Sequence, residues 1–171
     1  STAATYGEPD IPQVSEETPQ NPINPYGRSK LMVEWVLKDA AAANPNFKYG
    51  ILRYFNVAGA ASDGTIGQNY PNATHLIKVA TQTIVGKRDK MSIFGDDYDT
   101  KDGTCIRDYI HVEDLASAHL AVLDYLQSGE SAVFNVGYGT GFSVKEVVNE
   151  AKKVSGVDFK VQIAPRRAGD P

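Results

Sequence analysis

Sulfur is scarce in this chain. Its 171 residues hold one cysteine, Cys105, and two methionines. A single cysteine excludes an intrachain disulfide and fits a reducing compartment, so a cytoplasmic location is expected. Histidine is scarce too. His75, His111 and His119 share no ligand spacing with a cysteine or carboxylate cluster, so no metal site is expected. No apolar run approaches the roughly 20 residues that span a bilayer, and no membrane partner is expected. Positive charge is not in excess. The net charge of −4 argues against a nucleic-acid surface. Internal repeats and low-complexity tracts are absent, and so is an initiator methionine. The opening Ser1-Thr2-Ala3-Ala4-Thr5-Tyr6-Gly7 reads as a strand end turning into a loop. The closing Arg166-Arg167-Ala168-Gly169-Asp170-Pro171 reads as a loop. Both ends are expected to be cuts through a longer protein.

What is present is ordinary for a soluble globular protein. Hydrophobic residues make up 42% and charged residues 22%, over a length sufficient for one sizeable domain or parts of two. Residues 8–25 hold Pro9, Pro12, Pro19, Pro22 and Pro25, which predicts an ordered loop or linker. A helix is predicted over 26–43, started behind Pro25 and ended by Asn44-Pro45. Its Leu31, Met32, Trp35, Val36 and Leu37 spread over more than one narrow stripe. Such a face predicts burial on two sides, against a sheet and against a partner helix. Residues 49–57 read as a buried strand, and a helix followed by such a strand is the repeating unit of a parallel α/β sheet. Further strands are predicted over 91–94, 105–110, 132–136 and 160–164, and helices over 74–85 and 112–126. A last helix, capped by Ser143 with Glu146 three positions on, runs to about residue 154. Gly137-Tyr138-Gly139-Thr140-Gly141 lacks the Lys-Ser/Thr of a phosphate loop and reads as a strand-to-helix turn.

The chemistry concentrates in Tyr26-Gly27-Arg28-Ser29-Lys30. On a helix, positions i and i+4 lie one above the other, so Lys30 stands beside Tyr26. A phenol is a poor base at neutral pH, and a neighbouring positive charge favours its anionic form. The pair can therefore take a proton from a sugar hydroxyl. Alone, the spacing has little specificity, because two such residues often meet on a helix surface by accident.

Other segments give it context. Ser1 to Gly7, Pro25 to Lys30, Leu52-Arg53-Tyr54-Phe55-Asn56, Ile93-Phe94-Gly95, Asp102-Gly103-Thr104, Arg107-Asp108-Tyr109-Ile110-His111-Val112, Phe134-Asn135-Val136-Gly137 and Ala164-Pro165-Arg166-Arg167 occur in this order. Together they resemble the later half of the UDP-glucose 4-epimerases, a family of extended short-chain dehydrogenase/reductases. The resemblance implies an α/β fold: the C-terminal part of a Rossmann-like parallel sheet with a smaller α/β substrate-binding region. Residues 1–60 would belong to the NAD-binding domain. Residues 61–171 would mainly bind the nucleotide sugar, with some elements returning to the Rossmann sheet. It implies NAD as cofactor, a UDP-sugar as substrate, and a homodimer formed through the Tyr26 helix.

The implied reaction interconverts UDP-glucose and UDP-galactose by transient oxidation at C4. Tyr26 would take the O4 proton, with Thr2 relaying it and Ser1 as the competing hydroxyl. Lys30 and Tyr26 would contact the nicotinamide ribose, and Phe55 would pack near the cofactor. Asn56, Phe94, Arg107, Arg167 and Asp170 would address the substrate. The two arginines suit a pyrophosphate, since guanidinium presents several fixed donors. Asn56 has independent support, because α/β sheets bind ligands at the C-terminal ends of their strands.

Two alternatives stand beside this reading. Nucleotide-sugar 4,6-dehydratases of the same superfamily carry carboxylates ahead of the Tyr-Gly pair, where this chain has Ala3 and Ala4. A non-catalytic piece is the other. A dinucleotide fold needs a glycine-rich turn after its first strand, and no Gly-x-x-Gly-x-x-Gly occurs here. The chain by itself is therefore expected neither to hold NAD tightly nor to turn over.

Overall fold

Helical and strand periods alternate along the chain, and the computed structural model, which describes residues 1–167, follows them closely. The chain forms two units. Among the described residues, the first comprises Ser1–Val57 and Ile110–Gly139, and the second Ala58–Tyr109 with residues 140–167.

In the first unit a single 3₁₀ turn, Ala3–Thr5, precedes the proline-bearing loop. The helix α1 spans Pro25–Ala43. It starts where a cap and a proline coincide: the Asn24 side chain accepts from the Gly27 amide at 2.8 Å, and Pro25, which has no N–H to lose, occupies the first turn. The strand β1 (Gly50–Tyr54) follows, and after a break at Phe55 comes the short β2 (Asn56–Ala58). The single strand expected over 49–57 is thus two. At the break, the Phe55 amide still donates to the Val136 carbonyl at 3.2 Å, the last bond of the pairing that Tyr54 makes.

The second unit holds α2 (Leu76–Ile84) and β3 (Met91–Phe94). The strand β4 (Ile106–His111) carries the chain back to the first unit, where α3 (Val112–Leu126) and β5 (Ala132–Val136) lie. The second unit is completed by β6 (Gly141–Ser143), α4 (Val144–Ser155) and β7 (Val161–Ala164). Gly141, expected to belong to a turn, opens β6, which pairs antiparallel with β4. The capping box of α4 forms as read: Ser143 Oγ accepts from the Glu146 amide at 3.1 Å, and Glu146 accepts from the Ser143 amide at 2.8 Å. Gly156 ends that helix in the left-handed conformation.

Parallel pairing dominates where the site residues lie. In the first unit β1 pairs with β5 in parallel, Gly50 opposite Ala132 and Tyr54 opposite Val136. Leu52, Ile110 and Val136 form its core, with Leu115, Val122 and Phe134 packed around them. In the second, β3 pairs with β7 in parallel, Met91 opposite Val161 and Phe94 opposite Ala164. Ala80, Met91, Ile93, Val148 and Phe159 form its core. The fold is a mixed α/β arrangement with parallel sheets, as expected.

Within this chain, the described residues cover one face of α1, that of Gly27, Leu31 and Glu34. Met32, Val33, Trp35 and Val36 are each more than half exposed. No other described element packs over that second face to take them out of water.

Candidate active site

The Thr2 hydroxyl is held by its own short turn. Thr2 is buried, its Oγ1 accepts from the Ala4 amide at 3.3 Å, and its backbone bridges Tyr54 in parallel fashion. That bridge brings Thr2 to the C-terminal end of β1, next to Phe55 and Asn56 in the chain. Accepting from an amide leaves the hydroxyl proton of Thr2 free to be given away. Ser1 is placed differently. Its Oγ donates to Glu34 Oε1 at 2.5 Å, so its proton is committed to a carboxylate.

The helix α1 presents Tyr26 and Lys30 one turn apart. The Lys30 ammonium lies 5.7 Å from the centre of the Tyr26 ring, and Tyr26 is about half exposed, open to a ligand. Gly27 lets this helix start close to the Thr2 turn. A Cβ there would stand 2.5 Å from the Ala4 carbonyl oxygen and 2.9 Å from the Pro22 Cβ. Only a residue without a side chain permits that approach. The sequence reading did not single out Gly27. Its signal, a glycine inside a strong helical pattern, was visible.

A buried charge pair also escaped the sequence reading. Glu34 and Arg53 are 1% and 2% exposed. Arg53 Nη2 donates to Glu34 Oε2 at 2.8 Å and Nε to Oε1 at 3.0 Å, a two-pronged contact between α1 and β1. Arg53 Nη1 donates to the Tyr6 hydroxyl at 2.8 Å and to the Glu16 carbonyl at 3.0 Å. Tyr6 in turn donates to Asn135 Oδ1 at 2.6 Å, and Gln20 donates to Glu34 Oε2 at 3.1 Å. Burial pushes the Glu34 carboxyl up, but hydrogen bonds from Arg53, Ser1 and Gln20 outweigh it and hold the group below its ordinary range. Burial likewise works against the Arg53 charge, and Glu34 and Tyr6 more than restore it. The signal was a glutamate within the apolar stretch Leu31-Met32-Val33-Glu34-Trp35-Val36-Leu37 and an arginine within the apolar run Ile51-Leu52-Arg53-Tyr54-Phe55. Charges so placed are buried only when paired.

The second unit carries Phe94, Arg107 and Arg167. Phe94 and Ala164 are opposite each other at the ends of β3 and β7, so the chain after each strand leaves from the same edge. The Arg167 guanidinium then lies 4.6 Å from the centre of the Phe94 ring. Arg166 turns the other way: it lies 3.8 Å from the Tyr98 ring and donates to Asp97 Oδ1 at 2.7 Å. Arg107 is half-buried in β4, opposite Phe142 of β6. Asp170 lies outside the described residues. His111 Nδ1 accepts from the Glu113 amide and caps α3.

The structure thus brings Thr2, Tyr26, Lys30, Phe55 and Asn56 into the first unit, and Phe94 and Arg167 together in the second. A phenol and an ammonium on one helix, whose first turn approaches the turn of a buried hydroxyl, can do one kind of chemistry: moving a proton to or from a bound hydroxyl. Comparison with known proteins narrows it. The chain belongs to the NAD dependent epimerase/dehydratase family, whose profile matches residues 1–137. It is 56% identical over 172 aligned positions to a UDP-glucose 4-epimerase of Azospirillum brasilense, covering 100% of this chain and 49% of that protein. Among solved structures, a UDP-Glc/GlcNAc 4-epimerase of Campylobacter jejuni is 74% identical over 100% of this chain and 52% of that one, with a TM-score of 0.78. The UDP-glucose 4-epimerase of Bifidobacterium longum, solved with NAD+ and UDP, is 42% identical over 99% of this chain and 51% of that one, with a TM-score of 0.95. The chain spans about half the length of the relatives it matches.

Proposed function

We propose that this chain is the later half of a UDP-glucose 4-epimerase, which interconverts UDP-glucose and UDP-galactose at C4 and so serves galactose metabolism. The observation that carries the reading is the close docking of the first turn of α1, which bears Tyr26 with Lys30 one turn on, onto the turn that holds the buried hydroxyl of Thr2. In this reading Thr2 passes the O4 proton to Tyr26, with the Lys30 ammonium beside the ring. The Ser1 hydroxyl, committed to Glu34, is the weaker candidate for the relay.

The donor set fits the nicotinamide end of NAD: Lys30 and Tyr26 for the ribose hydroxyls, Phe55 for packing. Bound there, the cofactor supplies a reversible hydride acceptor for the sugar C4, and the protein supplies position and electrostatics. Asn56, Phe94, Arg107, Arg167 and Asp170 would hold the UDP-sugar, with Phe94 and Arg167 paired in advance. Residues 1–60, joined by 110–139, form the part of the NAD-binding domain that this chain contributes. Most of the remainder serves the nucleotide sugar.

Ala3 and Ala4 weigh against a 4,6-dehydratase, which needs a carboxylate there to expel the C6 hydroxyl. The Campylobacter relative is described as acting on Glc and GlcNAc derivatives, which supports testing UDP-GlcNAc as well. The exposed Met32, Val33, Trp35 and Val36 support a homodimer through α1. The lone cysteine supports a cytoplasmic setting. Tyr26→Phe in the intact protein tests the reading. Turnover of UDP-galactose should fall by orders of magnitude with UDP affinity kept, and near-normal turnover would remove Tyr26 as the base.

A further inference from the structure

We propose that Glu34 and Arg53 are positioning residues for this reaction: their buried pair sets the Thr2 turn, the Tyr26 helix and the Phe55-Asn56 strand end in one relative geometry. The inference rests on the function proposed above and deepens it.

The pair touches all three carriers of the reacting groups. Glu34 lies on α1 two turns beyond Tyr26, in line with Lys30. Arg53 lies on β1, two residues before Phe55. Ser1, which donates to Glu34, is the neighbour of Thr2, and Tyr6, which accepts from Arg53, closes the same turn. Through Tyr6 the network reaches Asn135 on β5, and the Asn135 amide donates to Glu16 Oε1 at 2.7 Å. Both carboxylate oxygens of Glu34 are used: Oε1 accepts from Ser1 and from Arg53 Nε, and Oε2 accepts from Gln20, from Arg53 Nη2 and, at 3.3 Å, from Arg53 Nε.

Stability alone gives little reason for such a pair. Desolvating two charges offsets most of their attraction, and apolar residues of similar volume commonly hold a core as well. Apolar contacts lack direction, however. A planar guanidinium gripping a carboxylate on two prongs fixes distance and orientation together. Proton transfer between Thr2, Tyr26 and a sugar hydroxyl is the kind of step that misplacement by about 1 Å slows by about 100-fold.

The test uses the intact enzyme with its cofactor. Replacing both partners, Glu34→Met with Arg53→Met, removes the fork while filling the space, and Tyr6→Phe removes one hydroxyl from the middle of the network. Melting temperature, UDP affinity by calorimetry, and kcat and KM for UDP-galactose are measured for each. The double variant should keep its fold and its UDP affinity and lose kcat by about 10- to 100-fold, with KM little changed. Tyr6→Phe should lose about 3- to 10-fold in kcat while staying folded at the assay temperature, its melting temperature lowered by the partners left unpaired. A folded double variant with wild-type kcat overturns the proposal. If the double variant does not fold, Tyr6→Phe decides, and wild-type kcat there overturns it equally. Tyr26→Phe, measured alongside, reports on the underlying reading: its loss of turnover beside a fully active network variant would sink this inference and leave the function standing.

Discussion

Glu34 shows how a single residue here is governed by its neighbours. Isolated in a core, a carboxylate would protonate; with three donors it stays charged. Its folded value lies below its unfolded one, so the folded protein binds that proton less readily than the unfolded chain. The stability it contributes is therefore whole above the unfolded value, about pH 4.3. It is lost as the pH falls through the folded value. Glu34→Gln should cost about 3–5 kcal/mol at pH 7, because it leaves Arg53 buried without its counter-charge. It should also flatten the acid limb of the stability profile below about pH 5. Chemical denaturation of the intact protein over a pH series reads both, and an unchanged acid limb would contradict the assignment. Both residues stood in the sequence as charges within apolar runs. That each was buried could be suspected; that each was the other's partner could not.

At the scale of the element, α1 is the informative case. Its start was legible because capping is local: Asn24, Pro25 and the Gly27 amide lie within four positions. Its length, and the stacking of Tyr26 with Lys30, follow from the helical repeat alone. Its docking does not. The approach of its first turn to Ala4 depends on Gly27, which faces a residue far back in the chain across the proline-bearing loop. Gly27→Ala should destabilise the protein by about 1–3 kcal/mol through overpacking, with kcat falling more than UDP affinity as the Thr2 turn is pushed from the helix. Denaturation and UDP titration together check this; a stable variant with full turnover would show that the loop yields to a methyl group. The other helices behave alike in their local parts. The capping box of α4 and the His111 cap of α3 form from neighbouring residues.

For the molecule as a whole, the parallel pairs β1–β5 and β3–β7 turn residues distant in sequence into neighbours. Because Phe94 and Ala164 end their strands in register, Arg167 reaches the Phe94 ring. If Arg107 and Arg167 hold the UDP pyrophosphate, Arg107→Ala and Arg167→Ala in the intact protein should each weaken UDP by roughly 1.5–3 kcal/mol, the worth of a charge-assisted contact. Calorimetric titration with unchanged affinity in both variants would refute that clamp. The sequence by itself determined the α/β class, the order and approximate bounds of the longer elements, and the joint placing of Tyr26 and Lys30, because each follows from contacts within a few residues; it missed the short β6 and the split of the 49–57 strand. The ordered motifs added the family. Only the tertiary structure decided that Ser1 is tied to Glu34 while Thr2 keeps its proton, that Gly27 is a contact surface, and that Glu34 meets Arg53. Those are meetings of chain segments many residues apart. Spacing along a chain holds no record of which distant groups share a buried space; packing and the need to pair every buried charge settle it.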